Sequence, residues 1–112
     1  VISTVASPET SVIKRAKKYI NENFSRDISL EDVAESVFLS TAYFSRYFKQ
    51  YSGENFSAYL LRVRVNHAKE LLKTQKSVKC IAAECGYSSA GYFVQSFKKY
   101  TGLTPKEYRT RL

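Results

Sequence analysis

The chain is short of acid. Eighteen Lys and Arg stand against ten Asp and Glu in 112 residues, a formal charge of +8 with a pI near 9.6. Such an imbalance on a small protein favours a polyanionic partner, nucleic acid first and an anionic membrane surface second. Glycine and proline are scarce too, at four and two residues, which leaves little room for the frequent turns of an all-β fold. No apolar run approaches the ~18–20 residues of a membrane span. The N-terminus lacks a basic segment followed by an apolar one, so no secretory leader is read and the cytoplasm is the expected compartment. A chain that begins at Val1 and contains no methionine reads as a piece of a longer polypeptide.

Cysteine and histidine are nearly missing. Cys80 and Cys85 form a lone C-x4-C without the second ligand pair of a zinc site, so two buried thiols are expected, with no metal or other cofactor. His67 is the only histidine. It falls on an apolar helical stripe beside no nucleophile, which predicts a packed core residue and no enzyme.

What the chain does have is aromatic residues, nine Tyr and seven Phe, within a hydrophobic fraction of 44%. Helical spacing and capping residues divide it. Residues 1–7 read as a linker end, with Ser7 as an N-cap before Pro8. Pro8–Phe24 is a first helix, with Val12, Ile13, Ala16, Tyr19, Ile20 and Phe24 at helical spacing. Ser29 caps "LEDVAESV", Phe38 and Leu39 make a turn, and Ser40 caps Thr41–Tyr51, which Gly53 ends. A longer helix follows from Phe56 to Thr74, with Leu60, Val63, His67 and Leu71 in its apolar face. The cycle then restarts: "VKCIAAEC", a turn at Tyr87–Ser88, a helix Ala90–Tyr100 stopped by Gly102, and a last helix opened by "TPKE". The expected fold is all-α with seven helices. It divides into a first helix-turn-helix subdomain at 8–52, a connecting helix at 53–75 and a second subdomain at 76–112.

The restart is a true repeat. "YFSRYFKQYSG" at Tyr43–Gly53 returns as "YFVQSFKKYTG" at Tyr92–Gly102, 49 positions later (102 − 53). Without a gap, Ala34–Arg62 matches its second copy at 11 of 29 positions, mostly Gly, aromatic and basic residues. A duplicated short helix, tight turn and longer helix is the economical explanation. On a wheel of about 100° per residue starting at Thr41, the aromatic arc of Tyr43, Phe44, Tyr47, Phe48 and Tyr51 lies at roughly 200–340°. It is expected to face the core. Thr41, Ala42, Ser45, Arg46 and Lys49 occupy roughly 0–140° and are expected to face out. The second copy would turn Ala90, Gly91, Val94, Gln95 and Lys98 outward, with Val94 exposed to meet thymine methyl groups. A connecting helix of about 19 residues spans about 28 Å. That is compatible with major-groove segments ~34 Å apart on one DNA face.

These residues resemble the DNA-binding domain of the AraC/XylS family of bacterial transcription regulators. The resemblance covers Pro8–Leu112 and rests on "SLEDVAESVFLSTAYFSRYFKQYSGENFSAYL", "RVNHAKELL" and "IAAECGYSSAGYFVQSFKKYTGLTPKEYR". Its wording is closest to the response-regulator type. The resemblance implies sequence-specific binding of double-stranded DNA for transcription regulation, with two recognition helices in adjacent major grooves. By position, Thr41, Ala42, Ser45, Arg46, Ala90, Gly91, Val94 and Gln95 would face bases. Ser40, Lys49, Arg62, Arg64, Ser89 and Lys98 would face phosphates. The implied partners beyond DNA are RNA polymerase and an N-terminal sensory or receiver domain of the same polypeptide, with no membrane. Many members carry larger hydrogen-bonding side chains where this sequence has Ala90 and Gly91. The first subdomain is therefore expected to do most of the sequence discrimination. The competing expectation is a basic helical module for an acidic protein or a membrane, supported by the charge and by Lys14, Arg15, Lys17 and Lys18.

Overall fold

The computed structural model describes residues 8–112, with side chains described from Ser11 onward; the expected linker end and the Ser7 cap lie outside them. The described residues form seven helices and no strand: α1 (Pro8–Asn23), α2 (Leu30–Ser36), α3 (Thr41–Ser52), α4 (Phe56–Leu71), α5 (Val78–Glu84), α6 (Ala90–Thr101) and α7 (Pro105–Thr110). The caps expected at Ser29, Ser40 and Thr104 are present, and Ser77 and Ser89 add two more. Ser29 and Thr104 each complete a capping box, with Asp32 and Glu107 at N3. Ser40, Ser77 and Ser89 accept the amides of Tyr43, Cys80 and Tyr92. Gly53 and Gly102 stop α3 and α6 at φ of 86° and 88°.

Packing divides the chain into two units. One takes α1 and Ile28–Leu60; the other takes Phe24–Asp27 and Leu61–Leu112. The first unit buries Ile13, Ala16 and Ile20 of α1, Val33 and Ala34 of α2, Phe44, Tyr47 and Phe48 of α3, and Tyr59 and Leu60 of α4. The second buries Val65, Ala68, Leu72, Ile81, Ala82, Cys85, Tyr87, Phe93 and Phe97. Each fully buried Phe adds roughly 1.5–3 kcal/mol of apolar transfer energy. The segment expected as a separate connector thus supplies core residues to both units.

Two expectations about α4 change. It buries Tyr59, Leu60, Val65 and Ala68, with Leu72 buried just past its end; Val63 and Leu71 are half-buried and His67 is exposed. The sequence carries two apolar stripes one residue apart, and only the packed neighbours select between them. His67 instead sets its ring edge-on to Phe24, with centroids 4.9 Å apart. The helix also ends at Leu71 rather than Thr74. The carbonyls past its end are taken from outside the helix: Arg109 Nε donates to Leu72 O at 3.1 Å, and its Nη2 donates to Thr74 O and Lys76 O at 3.1 and 2.6 Å. At 16 residues, α4 is about 24 Å long.

The repeat is not gap-free in three dimensions. α2 and α5 correspond at an offset of 48 (78 − 30), α3 and α6 at 49 (90 − 41). Ala34 is buried like Ala82, while Ala83 is exposed, so the identities Ala34/Ala83 and Glu35/Glu84 are not structural equivalents. The extra residue sits in the second turn. Phe38 then corresponds to Gly86: the amides donate to Glu35 O and Ala83 O, the carbonyls three residues back, and φ is positive at both, 60° and 91°. A phenylalanine holding a left-handed backbone with its side chain 90% exposed gains nothing from packing. Phe38→Gly should therefore stabilise the first unit by about 0.5–1 kcal/mol, relief of left-handed strain outweighing the entropy of glycine. A urea titration showing no rise in midpoint would refute it.

Candidate nucleic-acid interface

α3 and α6 are held in the same way. Each rests two phenylalanines on its own core, Phe44 with Phe48 and Phe93 with Phe97, at centroid distances of 5.5 and 5.8 Å. Phe48 meets the edge of Tyr59 at 5.7 Å, and Phe97 that of Tyr108 at 5.5 Å. A lysine covers each tyrosine, Lys17 at 5.4 Å in the first unit and Lys69 at 6.0 Å in the second. Beyond each C-cap the pattern repeats again. The Ser52 hydroxyl donates to Glu54 O, and the Thr101 hydroxyl to Leu103 O. The repeat identities Phe44/Phe93, Phe48/Phe97, Gly53/Gly102 and Tyr59/Tyr108 are therefore scaffold.

The exposed arc differs from the expected one. On α3 it comprises Ala42, Tyr43, Arg46, Lys49 and Gln50, and on α6 Gly91, Tyr92, Gln95, Lys98 and Lys99. On the same wheel these lie at roughly 80–200°, rotated toward the tyrosines. Tyr43, expected in the core, and its counterpart Tyr92 are 47% and 59% exposed, and Tyr51 and Tyr100 are also exposed. Thr41, Ser45, Ala90 and Val94 are half-buried at the margin. Val94 and Ala90 pack on the second core, which accounts for an apolar residue the sequence had placed in the open. Of the base-facing set, the structure turns Ala42, Arg46, Gly91 and Gln95 fully outward and leaves the other four at the margin. The reason is geometric: Phe44 and Phe48 fix the centre of the buried arc, and tyrosines 100° to its side need not follow.

The phosphate set separates as well. Ser40, Lys49, Ser89 and Lys98 are exposed, and Arg62 is half-buried. Arg64 belongs to the fold. Its Nε donates to Phe24 O and its Nη2 to Arg26 O, both at 3.0 Å, and its guanidinium lies 5.5 Å from the Tyr87 ring centroid. Burial pulls its pKa below the usual arginine value, with Tyr87 and Asp27 acting in the opposite direction. Its forked donors suit it to gripping two carbonyls at once, so the phosphate role expected of it gives way to a structural one. Arg109 performs the matching task at the end of α4, which sequence reading missed because it sits at no repeat identity.

The cysteines divide. Cys85 is buried, and burial pushes its thiol pKa up to about 12. Cys80 is exposed, contrary to expectation, because α5 buries the stripe of Ile81, Ala82 and Cys85 on its other side. Glu84 pairs with Lys76 at 2.6 Å, and that hydrogen bond lowers the carboxyl pKa. The pair ties the start of α5 to its end.

Comparison with known proteins fixes the kinship. A family profile described as a helix-turn-helix domain matches residues 33–111. The regulatory protein PocR of Salmonella typhimurium is 40% identical over 107 residues, 95% of this chain and 35% of that protein. The C-terminal domain of AraT, a response regulator from Geobacillus stearothermophilus, superposes with a TM-score of 0.89 at 38% identity, over 95% of this chain and 89% of that one. This chain belongs to the AraC/XylS family. Within that family of DNA-binding transcription regulators, the DNA-binding domain of AdpA has been solved in complex with a target DNA. It matches this AraC/XylS domain at a TM-score of 0.79 and 26% identity, over 95% of this chain and 93% of that one. The chain spans about a third of PocR's length. Among the described residues no helix is long and apolar enough to cross a membrane.

Proposed function

We propose that this domain reads double-stranded DNA with α3 and α6 in successive major-groove segments on one face of the duplex. The carrying observation is the matched pair of exposed arcs: two helices anchored identically, each showing small, polar and cationic residues and one tyrosine outward and no bulky aliphatic one. Arg46 addresses guanine O6/N7 and Gln95 an adenine edge. Ala42 and Gly91 let the helices approach closely, while Thr41, Ser45, Ala90 and Val94 border the contact. Ser40, Lys49, Arg62, Ser89 and Lys98 hold phosphates. A chain carrying the unit twice can do alone what single helix-turn-helix proteins do by dimerising.

In the whole polypeptide the domain would act in the cytoplasm. It would regulate transcription with RNA polymerase under control of an N-terminal sensory or receiver domain, by binding and without turnover. The test begins with duplexes selected from a random pool. The selected motif should fall into two parts about one helical turn apart, and inserting ~5 bp between them should abolish tight binding by turning one part to the opposite face. The logarithm of the affinity should fall linearly with log salt, and Lys49→Gln should reduce the slope by about 1. Tolerance of the insertion would defeat the two-groove arrangement. Equal binding to anionic vesicles and duplexes would favour the membrane-module reading.

A further inference from the structure

We propose that the phenolic hydroxyls of Tyr43 and Tyr92 are phosphate contacts, one at the entry of each recognition helix. The proposal rests on the DNA-reading role of α3 and α6 and adds a donor pair to it.

Most of the repeated residues in these helices have a structural reason to recur. Ser40 and Ser89 cap, Phe44, Phe48, Phe93 and Phe97 fill cores, and Gly53 and Gly102 turn left-handed. Tyr43 and Tyr92 lie about half in solvent, so packing accounts for part of each ring and for neither hydroxyl. Neither hydroxyl has a hydrogen-bond partner among the described residues. Phenylalanine would meet the same packing demand, so the oxygen is what packing does not explain.

Their placement suits an anion. Both occupy the first turn of a 12-residue helix, within the exposed arc that carries Arg46 and Gln95. Both backbones are pinned: the Tyr43 amide donates to Ser40 Oγ at 3.3 Å, and the Tyr92 amide to Ser89 Oγ at 3.1 Å. Each ring leans on another tyrosine, Tyr43 on Tyr47 and Tyr92 on Tyr87, both at 5.6 Å between centroids. A pinned backbone and a supported ring hold the hydroxyl with little freedom left to lose on binding. In the first unit, Tyr43 shares a surface cleft with Arg46 and Gln50. In the second, Tyr92 shares one with Arg64 and Ser88, and with Asp27, whose charge Arg64 opposes. Residues at the N-terminal end of a recognition helix sit where it enters the groove, next to the sugar–phosphate wall.

The experiment removes the oxygen and keeps the ring. Tyr43→Phe and Tyr92→Phe, singly and together, are titrated against the selected duplex and a random duplex at several salt concentrations. Each substitution should weaken binding about 10- to 150-fold, the loss of one hydrogen bond to a charged group. The loss should be the same on both duplexes, because a phosphate contact carries no sequence information. Unlike Lys49→Gln, neither substitution should change the salt slope, because a neutral donor releases no counterion. Inorganic phosphate at matched ionic strength should not compete, which separates a backbone phosphate from a free-anion site. Parental affinity in both variants would overturn the proposal. So would a loss confined to the selected duplex, or a fall in thermal midpoint that tracks the loss in binding. Failure of the parent itself to bind any duplex would instead remove the DNA-reading role beneath it.

Discussion

Arg46→Ala should weaken binding to the selected duplex by about 1–3 kcal/mol, roughly 5- to 150-fold, and relax the motif at one position. Gln95→Ala should cost less. Arg46 is exposed on the outward arc of α3, where a guanidinium can donate two parallel hydrogen bonds to guanine. The equivalent stretch of α6 offers less: Gly91 has no side chain, and Ala90 and Val94 are partly packed on the core. Discrimination should therefore be concentrated in the first unit, with α6 supplying backbone contacts through Lys98 and Ser89. Measured affinities for single-base variants of the motif, with parent and both mutants, decide the matter. Equal losses would spread the discrimination over both helices, and reversed losses would place it in α6.

Gly86→Ala should unfold the second unit under conditions the parent survives, at a cost of about 2–5 kcal/mol. Two effects add. At φ of +91° a Cβ brings left-handed strain of about 1–2 kcal/mol. That Cβ would also fall on the Phe24 carbonyl oxygen and lie 3.0 Å from Arg64 Nε, so overpacking of about 1–3 kcal/mol follows. Arg64 Nε donates to the same carbonyl, and displacing it would uncouple Phe24–Asp27 from α4. Gly53→Ala and Gly102→Ala carry the backbone strain alone, since nothing lies within 4 Å of either added Cβ. A urea titration ranking Gly86→Ala level with these two would show that the close approach is unimportant.

The caps show what is locally encoded. Ser-x-x-Asp at Ser29 and Thr-Pro-x-Glu at Thr104 describe hydrogen bonds that close within three residues, so neighbouring letters suffice to predict them. Gly53 and Gly102 are legible for the same reason. The candidate site's exposed arc was half legible. Arg46 and Gln95 follow from their angle on the wheel, but Tyr43 and Tyr92 lie at the boundary between arcs, where an aromatic letter alone suggests burial. Arg64 was misplaced because a cation's partner in this case is a carbonyl about 40 residues away, which no local pattern announces.

By itself the sequence determined that the fold is helical, where the seven helices begin, that the unit is duplicated, and which family the chain joins. Those properties depend on spacing, capping and motifs, all local or periodic. Only the tertiary structure decided which of two apolar stripes α4 buries, where that helix ends, and that one extra residue in the second turn shifts the repeat from 48 to 49. It also decided that Phe38 stands where the other copy has glycine, and how far the outward arcs turn toward their tyrosines. Each of these depends on a neighbour distant in the chain, a packed phenylalanine or an arginine gripping a carbonyl, and a helix turns to satisfy such contacts whatever its own letters favour.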